Sequence, residues 1–159
     1  MAMTREPFEV LEGQGFPTIT QLSVFLDNRV GQLLRVTQVL DAQDIRIMAF
    51  SVIDSVDCAV VRILVDRTED AVTALRNASF AVSLAEVIVV KLPPGRRGWL
   101  TLWSVLLSSE INVSYVYPLL PHKGSSAIAV SVDNLEIAVD TLQRQKFEVL
   151  SERDLQSET

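Results

Sequence analysis

The feature that most constrains this 159-residue chain is that its second half repeats its first. A displacement of 67 positions places Gly31 on Gly98, Arg29 on Arg96 and Leu33 on Leu100. The same displacement places Asp66 on Asp133, Ala71 on Ala138, Val72 on Val139, Leu75 on Leu142 and Phe80 on Phe147, and a single-residue deletion brings Ile45 onto Ile111. Matches spread over helix-like and strand-like segments at a nearly constant offset mark an internal duplication. Each unit must therefore form one small supersecondary structure, built twice.

Hydrophobic patterning gives that unit its element order. Thr18–Leu26, rich in β-branched and aromatic residues, is expected as a strand, and Gly31–Gln43 as a helix with Leu33, Val36 and Leu40, flanked by Leu34 and Val39, on its apolar face. Strands Ile45–Ile53 and Cys58–Asp66 flank a hairpin turn at Asp54–Asp57. Thr68, Glu69 and Asp70 open a second helix with a hydroxyl followed by acids, and its core face is Ala71, Val72, Leu75 and Ala78. Phe80–Ser83 closes the unit as a short strand, giving the ferredoxin-like order β-α-β-β-α-β. The second unit runs through strand Glu86–Leu92, the turn Pro93–Arg97, helix Gly98–Ser109, strands Ile111–Leu119 and Ser126–Val132, helix Asn134–Arg144 and strand Phe147–Ser151. The expectation is an α+β protein of two such repeats, residues 18–84 and 85–155, with antiparallel sheets side by side and helices on one face. Residues 1–17 are expected as an N-terminal tail, ordered in part by Phe8, Val10 and Leu11.

Composition removes several functional classes. With 48% hydrophobic and 21% charged residues the chain is of ordinary globular type. A net charge of -6 argues against nucleic-acid or anionic-membrane binding. The central strands Cys58–Asp66 and Ser126–Val132 lack the aromatic residues on which an RNA-binding domain of this topology stacks bases. No apolar run reaches the ~18 residues of a membrane span, and the first fourteen residues carry no signal-peptide core. The lone Cys58, expected in the core, permits no internal disulfide, and a cytoplasmic location is the expectation.

Catalytic chemistry is poorly supplied. The single histidine, His122, lies in a Pro/Gly loop without metal-ligand neighbours and is expected to be solvated. The expectation is no catalytic residue, no metal and no cofactor. The segment that stands out is Asp27–Leu33, where a strand feeds straight into a helix and leaves unpaired N–H groups at the positive end of the helix dipole. As a purely structural feature it is a helix cap with a turn glycine. As a ligand site, the amides of Arg29, Val30, Gly31 and Gln32 would take a carboxylate, and Asp27 or Asn28 an ammonium, so the ligand would be an amino acid.

The element order, the duplication and Leu26-Asp27-Asn28-Arg29-Val30-Gly31-Gln32-Leu33 together resemble the ACT domain, a small-molecule regulatory module of amino-acid metabolism. The family turn reads Asn-x-Pro-Gly-x-Leu; Asn28, Gly31 and Leu33 match it, and Val30 replaces the proline. The resemblance implies a module without enzymatic activity that binds an amino acid at an interface between modules. It implies a site of Asp27, Asn28, Arg29, Val30, Gly31, Gln32 and Leu33, joined by Ile45, Arg46 and Ile47 at the start of the second strand. In the second unit Gly95, Arg96, Arg97 and Gly98 lack an asparagine or acid, and are expected to hold a plain anion, to have lost the site or to serve as a contact. The helix from Gly98 is apolar nearly all round, so Trp99, Leu102 and Trp103 are expected at the other repeat or at a homodimer interface. A regulator of this kind acts on a partner enzyme or other protein; the alternative is a dimerisation module that binds no ligand and acts on a partner protein.

Overall fold

The computed structural model describes residues 16–27, 30–121 and 124–156. Residues 1–15 of the tail expected at 1–17, together with Asn28, Arg29, His122 and Lys123, lie outside the described residues. The elements are β1 (Ile19–Asp27), α1 (Gln32–Asp41), β2 (Ile47–Asp54), β3 (Cys58–Val65), α2 (Thr68–Asn77), β4 (Ala81–Lys91), α3 (Gly98–Ser108), β5 (Val113–Pro118), β6 (Ala127–Val132), α4 (Leu135–Arg144), β7 (Val149–Leu150) and α5 (Glu152–Gln156).

One strand belongs to both repeats. The segments Phe80–Ser83 and Glu86–Leu92, expected as separate strands, are the continuous β4, because no glycine, proline or turn-forming residue interrupts Ala81–Lys91. Its first part pairs antiparallel with β1 from Ala81 to Val87, and its last part pairs with β6 and β7. The result is a 7-stranded antiparallel sheet in the order β2-β3-β1-β4-β6-β5, with β7 also on β4. The point between residues 84 and 85 falls inside this shared strand.

Alternation along β4 sets the layering. Its even-numbered residues face the helices in both repeats: Val82 packs with the α1–α2 core, and Ile88 and Val90 with the α3–α4 core. Its odd-numbered residues Val87 and Val89 face the other way, into a third core with Ile19, Leu64, Ala129 and Leu155. All four long helices thus cover one face, as expected. The two half-sheets do not simply lie side by side: their bare faces curl onto one another. At the rim β2 meets β5, where Ala49 bridges Leu119 and the Leu120 amide donates to Met48 O at 2.9 Å. On the inner face of Cys58–Val65, Leu64 is wholly buried in that third core, while Arg62 and Val60 are half-buried.

The duplication is visible in detail. Each of the four long helices ends in a non-glycine residue of positive φ (Asp44, Ser79, Glu110, Lys146) followed by an apolar one. The amides of those followers, Ile45, Phe80, Ile111 and Phe147, donate to carbonyls five residues back, at Leu40, Leu75, Leu106 and Leu142. This is the Schellman stop, with the apolar follower buried at Ile45, Phe80 and Ile111 and half-buried at Phe147. Arg46 N donates to Asp66 Oδ1 at 2.9 Å, and Asn112 N to Asp133 Oδ1 at 3.2 Å. β2 and β5 carry the same bulge, after Ile47 and after Val113.

These equivalences shift the alignment in the first part of the repeat. From β1 through the start of β2 the offset is 66: Val36 and Leu102 are both wholly buried, and Leu40 matches Leu106. The offset of 67 holds from β3 onward. Gly31 therefore corresponds to Arg97 rather than Gly98, and Leu33 to Trp99 rather than Leu100. The exposures agree, at 42% for both Leu33 and Trp99, and at 61% and 56% for Leu34 and Leu100.

Two smaller expectations are corrected. Cys58 is half-buried at the hairpin end rather than in the core, and its carbonyl accepts from Ser55 N at 3.0 Å to close the turn. The C-terminal strand shortens to two residues because Ser151 starts a helix. The Ser151 amide and hydroxyl both donate to Asp154 Oδ2, at 2.7 and 2.9 Å, an aspartate form of the capping box.

Candidate functional site

The turn between β1 and α1 is built around Gly31, which takes φ +88° and caps the helix without a side-chain hydrogen bond. Arg35 N reaches Gly31 O at 3.0 Å, so the amides of Gln32, Leu33 and Leu34 precede the first intrahelical donor. Val30 is fully exposed, and Leu33 and Leu34 are 42% and 61% exposed, which gives the turn an apolar rim that no other described residue covers. α1 meets the sheet through Val36 and Leu40, and its first turn stands clear; this is why Leu33 is not on the core face where patterning put it.

The remaining site residues are not all brought together. Ile45 is 5% exposed inside the first helical core and cannot line an open site. Arg46 is exposed, with its amide and carbonyl held by Asp66. Ile47 is half-buried at the start of β2. Asp27 ends β1 in register with Cys58 and shares the alternation of Phe25 and Ser23, so it belongs to the helix-free face of the sheet, opposite α1. The carboxylate expected beside the helix amides is therefore on the other side of the strand. Asn28 and Arg29 lie outside the described residues.

The second turn is built differently. Gly95 holds the positive φ, +93°, and Gly98 is buried because a Cβ there would lie 2.5 Å from Pro93 O. The Gly98 amide donates to Gly95 O at 3.3 Å and is not offered outward. Gly95, Gly98 and Trp99 flank an open cleft of about 810 Å3 whose charged lining is Lys91, Lys146 and Glu148. Lys91 Nζ is already paired with Glu148 Oε1 at 2.8 Å. Arg97 lines a separate groove between α3 and α4. The Arg96–Arg97 pair thus does not make an anion site with this cleft.

Leu102, expected at an interface, is 0% exposed in its own repeat's core, and Trp103 packs against that core. Trp99 stacks on Trp103 with ring centroids 5.5 Å apart and stays 42% exposed. Of the three, only Trp99 presents substantial surface.

Sequence patterning missed a polar cluster on the inner, helix-free face. Gln21, wholly buried, donates from Nε2 to Ser23 Oγ at 3.2 Å and to Tyr115 Oη at 3.0 Å, and its Oε1 accepts from Tyr117 Oη at 2.6 Å. Arg62 lies over the Tyr115 ring, 3.5 Å from its centroid. Burial, reinforced by Tyr115, raises the Tyr117 phenol above its ordinary range. The available signal was the polar residues at alternate positions, Gln21 and Ser23, in an otherwise apolar strand.

Among the described residues no group of three or more His, Cys, Asp or Glu is placed to hold a metal ion, and no helix is long and apolar enough to cross a membrane.

Comparison with known proteins places this geometry. A solved structure from Bacteroides thetaiotaomicron matches with a TM-score of 0.82 at 24% identity, covering 88% of this chain and 96% of that one. The regulatory subunit of aspartate kinase from Thermus thermophilus, in its ligand-free form, matches with a TM-score of 0.58 at 12% identity, covering 82% of this chain and 93% of the subunit. The corresponding subunit from Thermus flavus gives 0.55 at 11%, with the same coverages. At these identities the likeness is one of fold. No curated protein matches the sequence significantly. The family model described as "ACT domain pair" matches residues 17–158, and the chain belongs to that family.

Proposed function

We propose that this ACT domain pair is a non-catalytic regulatory protein that binds an amino acid at the β1–α1 turn of its first repeat, at an interface with a second copy of the chain. The observation that carries this reading is the turn itself: a left-handed Gly31, helix amides that no side chain among the described residues caps, and a rim of exposed Val30, Leu33 and Leu34. Helix amides suit a carboxylate, and the exposed apolar rim suits a site completed by another subunit. The similarity in fold to aspartate kinase regulatory subunits supports regulation of an enzyme partner. A thermal-shift screen of the common amino acids tests the proposal: a ligand at a hundred times its Kd adds about 2.7 kcal/mol, and Asn28→Ala removes the shift. No shift with any amino acid would overturn it.

A ligand-free dimerisation module is favoured by one observation, the half-exposed Trp99 on its stacked partner. It predicts a dimer by light scattering whatever is added, dispersed by Trp99→Asp.

A further inference from the structure

The inner face of the first half-sheet carries two successive cross-strand rows, the first at the edge of the region covered by the second half and the next beyond it. In the first row, Ser83 pairs with Ser23, Ser23 with Arg62, and Arg62 with Ser51. In the next row, toward the hairpin end, Ala81 pairs with Phe25, Phe25 with Val60, and Val60 with Ile53. The first row is polar and holds one cation; the second is wholly apolar, with Phe25 43% and Ile53 41% exposed.

Arg62 is half-buried, with its guanidinium over the Tyr115 ring. Among the described residues no carboxylate pairs with it and no hydrogen bond engages its N–H groups. A ring face attracts the charge but accepts none of five planar donors in the way an oxygen does. A partly desolvated guanidinium without an acceptor is costly, and a carboxylate matches its fork with two parallel hydrogen bonds. Half-buried Ser51 flanks it on β2 at the ~4.8 Å spacing of neighbouring strands, while Ser23 on its other side is buried with its hydroxyl taken by Gln21; the apolar row begins about 7 Å further along.

We propose that this shelf binds a small carboxylic acid with an apolar body of about one ring or one branched chain. The carboxylate lies on Arg62 beside the Ser51 hydroxyl, and the body lies on Phe25, Val60 and Ile53. Neither row contains a carboxylate to receive an ammonium, so the ligand is a simple acid and not an α-amino acid. The site is separate from the β1–α1 turn and does not rest on the function proposed for it.

Titration of the full chain with 3-phenylpropionate, followed by NMR, tests this. The Arg62 Nε–H and the Ile53 and Val60 methyl signals are expected to move saturably. The neutral 3-phenylpropanamide and acetate are each expected to bind at least tenfold more weakly, and so is phenylalanine. Arg62→Gln is expected to weaken the acid at least tenfold. Absence of saturable shifts at these residues, or an equal response to acid and amide in the unmodified protein, would overturn the proposal even if the variant did not fold. Equal affinity for acetate or inorganic phosphate would overturn the apolar half of it.

Discussion

Replacing Gln21 with leucine tests whether the buried carboxamide holds the two half-sheets in register. Leucine is close to glutamine in size and suits a strand, so packing changes little. What is lost is the acceptor for Tyr117 Oη, now 2.6 Å from Gln21 Oε1, on a side chain only 4% exposed. Orphaning a buried hydroxyl costs about 1–3 kcal/mol. Tyr115 is part-buried and Ser23 is 9% exposed, so their hydroxyls regain water in part and add little. The net loss is expected near 2 kcal/mol, about 4–8 °C in Tm for a chain of this size. Urea unfolding of Gln21→Leu, Tyr117→Phe and the double variant measures it, with an unchanged m-value confirming that the same surface unfolds. The double variant removes both partners and is expected to recover about 1–2 kcal/mol relative to the sum of the singles. A Gln21→Leu loss under about 0.5 kcal/mol, or strictly additive singles, would refute a satisfied buried network.

Three further outcomes follow from the same geometry. Gly98→Ala sets a Cβ 2.5 Å from a backbone carbonyl, so either the turn or α3 must move, and a loss of about 2 kcal/mol or more is expected in thermal unfolding. Gly31→Ala meets no atom within 4 Å but must adopt φ +88°, and is expected to cost about 1–2 kcal/mol, less than Gly98→Ala. Asn134→Ala removes the α4 cap, in which the Asn134 side chain accepts from Ile137 N at 3.1 Å, and is expected to cost about 1 kcal/mol in denaturant unfolding.

The duplication, the helices and most strand positions were legible because they rest on local patterning, on spacing 3.6 or 2 residues apart, which any short segment carries in itself. Asp66 and Asp133 were paired correctly from sequence alone, and the structure shows them tying equivalent backbone groups. The glycines misled: Gly31 and Gly98 look alike in sequence, yet one is needed for a positive φ and the other for a close approach to Pro93. Composition cannot distinguish those two reasons for glycine, and burial and hydrogen bonding extend the offset of 66, visible in sequence only at Ile45, back through α1 and β1.

The turn was visible for the same local reason, but its membership was not. Ile45 falls into the core and Asp27 onto the opposite face because strand alternation and sheet curl, not proximity in sequence, decide which side chains meet. The sequence by itself determined two β-α-β-β-α-β units and their helix-covered cores. Tertiary structure alone decided that they share β4, that their bare faces fold together, and that Gln21, Arg62, Tyr115 and Tyr117 from distant strands form one cluster. Those contacts depend on a curvature that accumulates over the whole sheet and is written in no single segment.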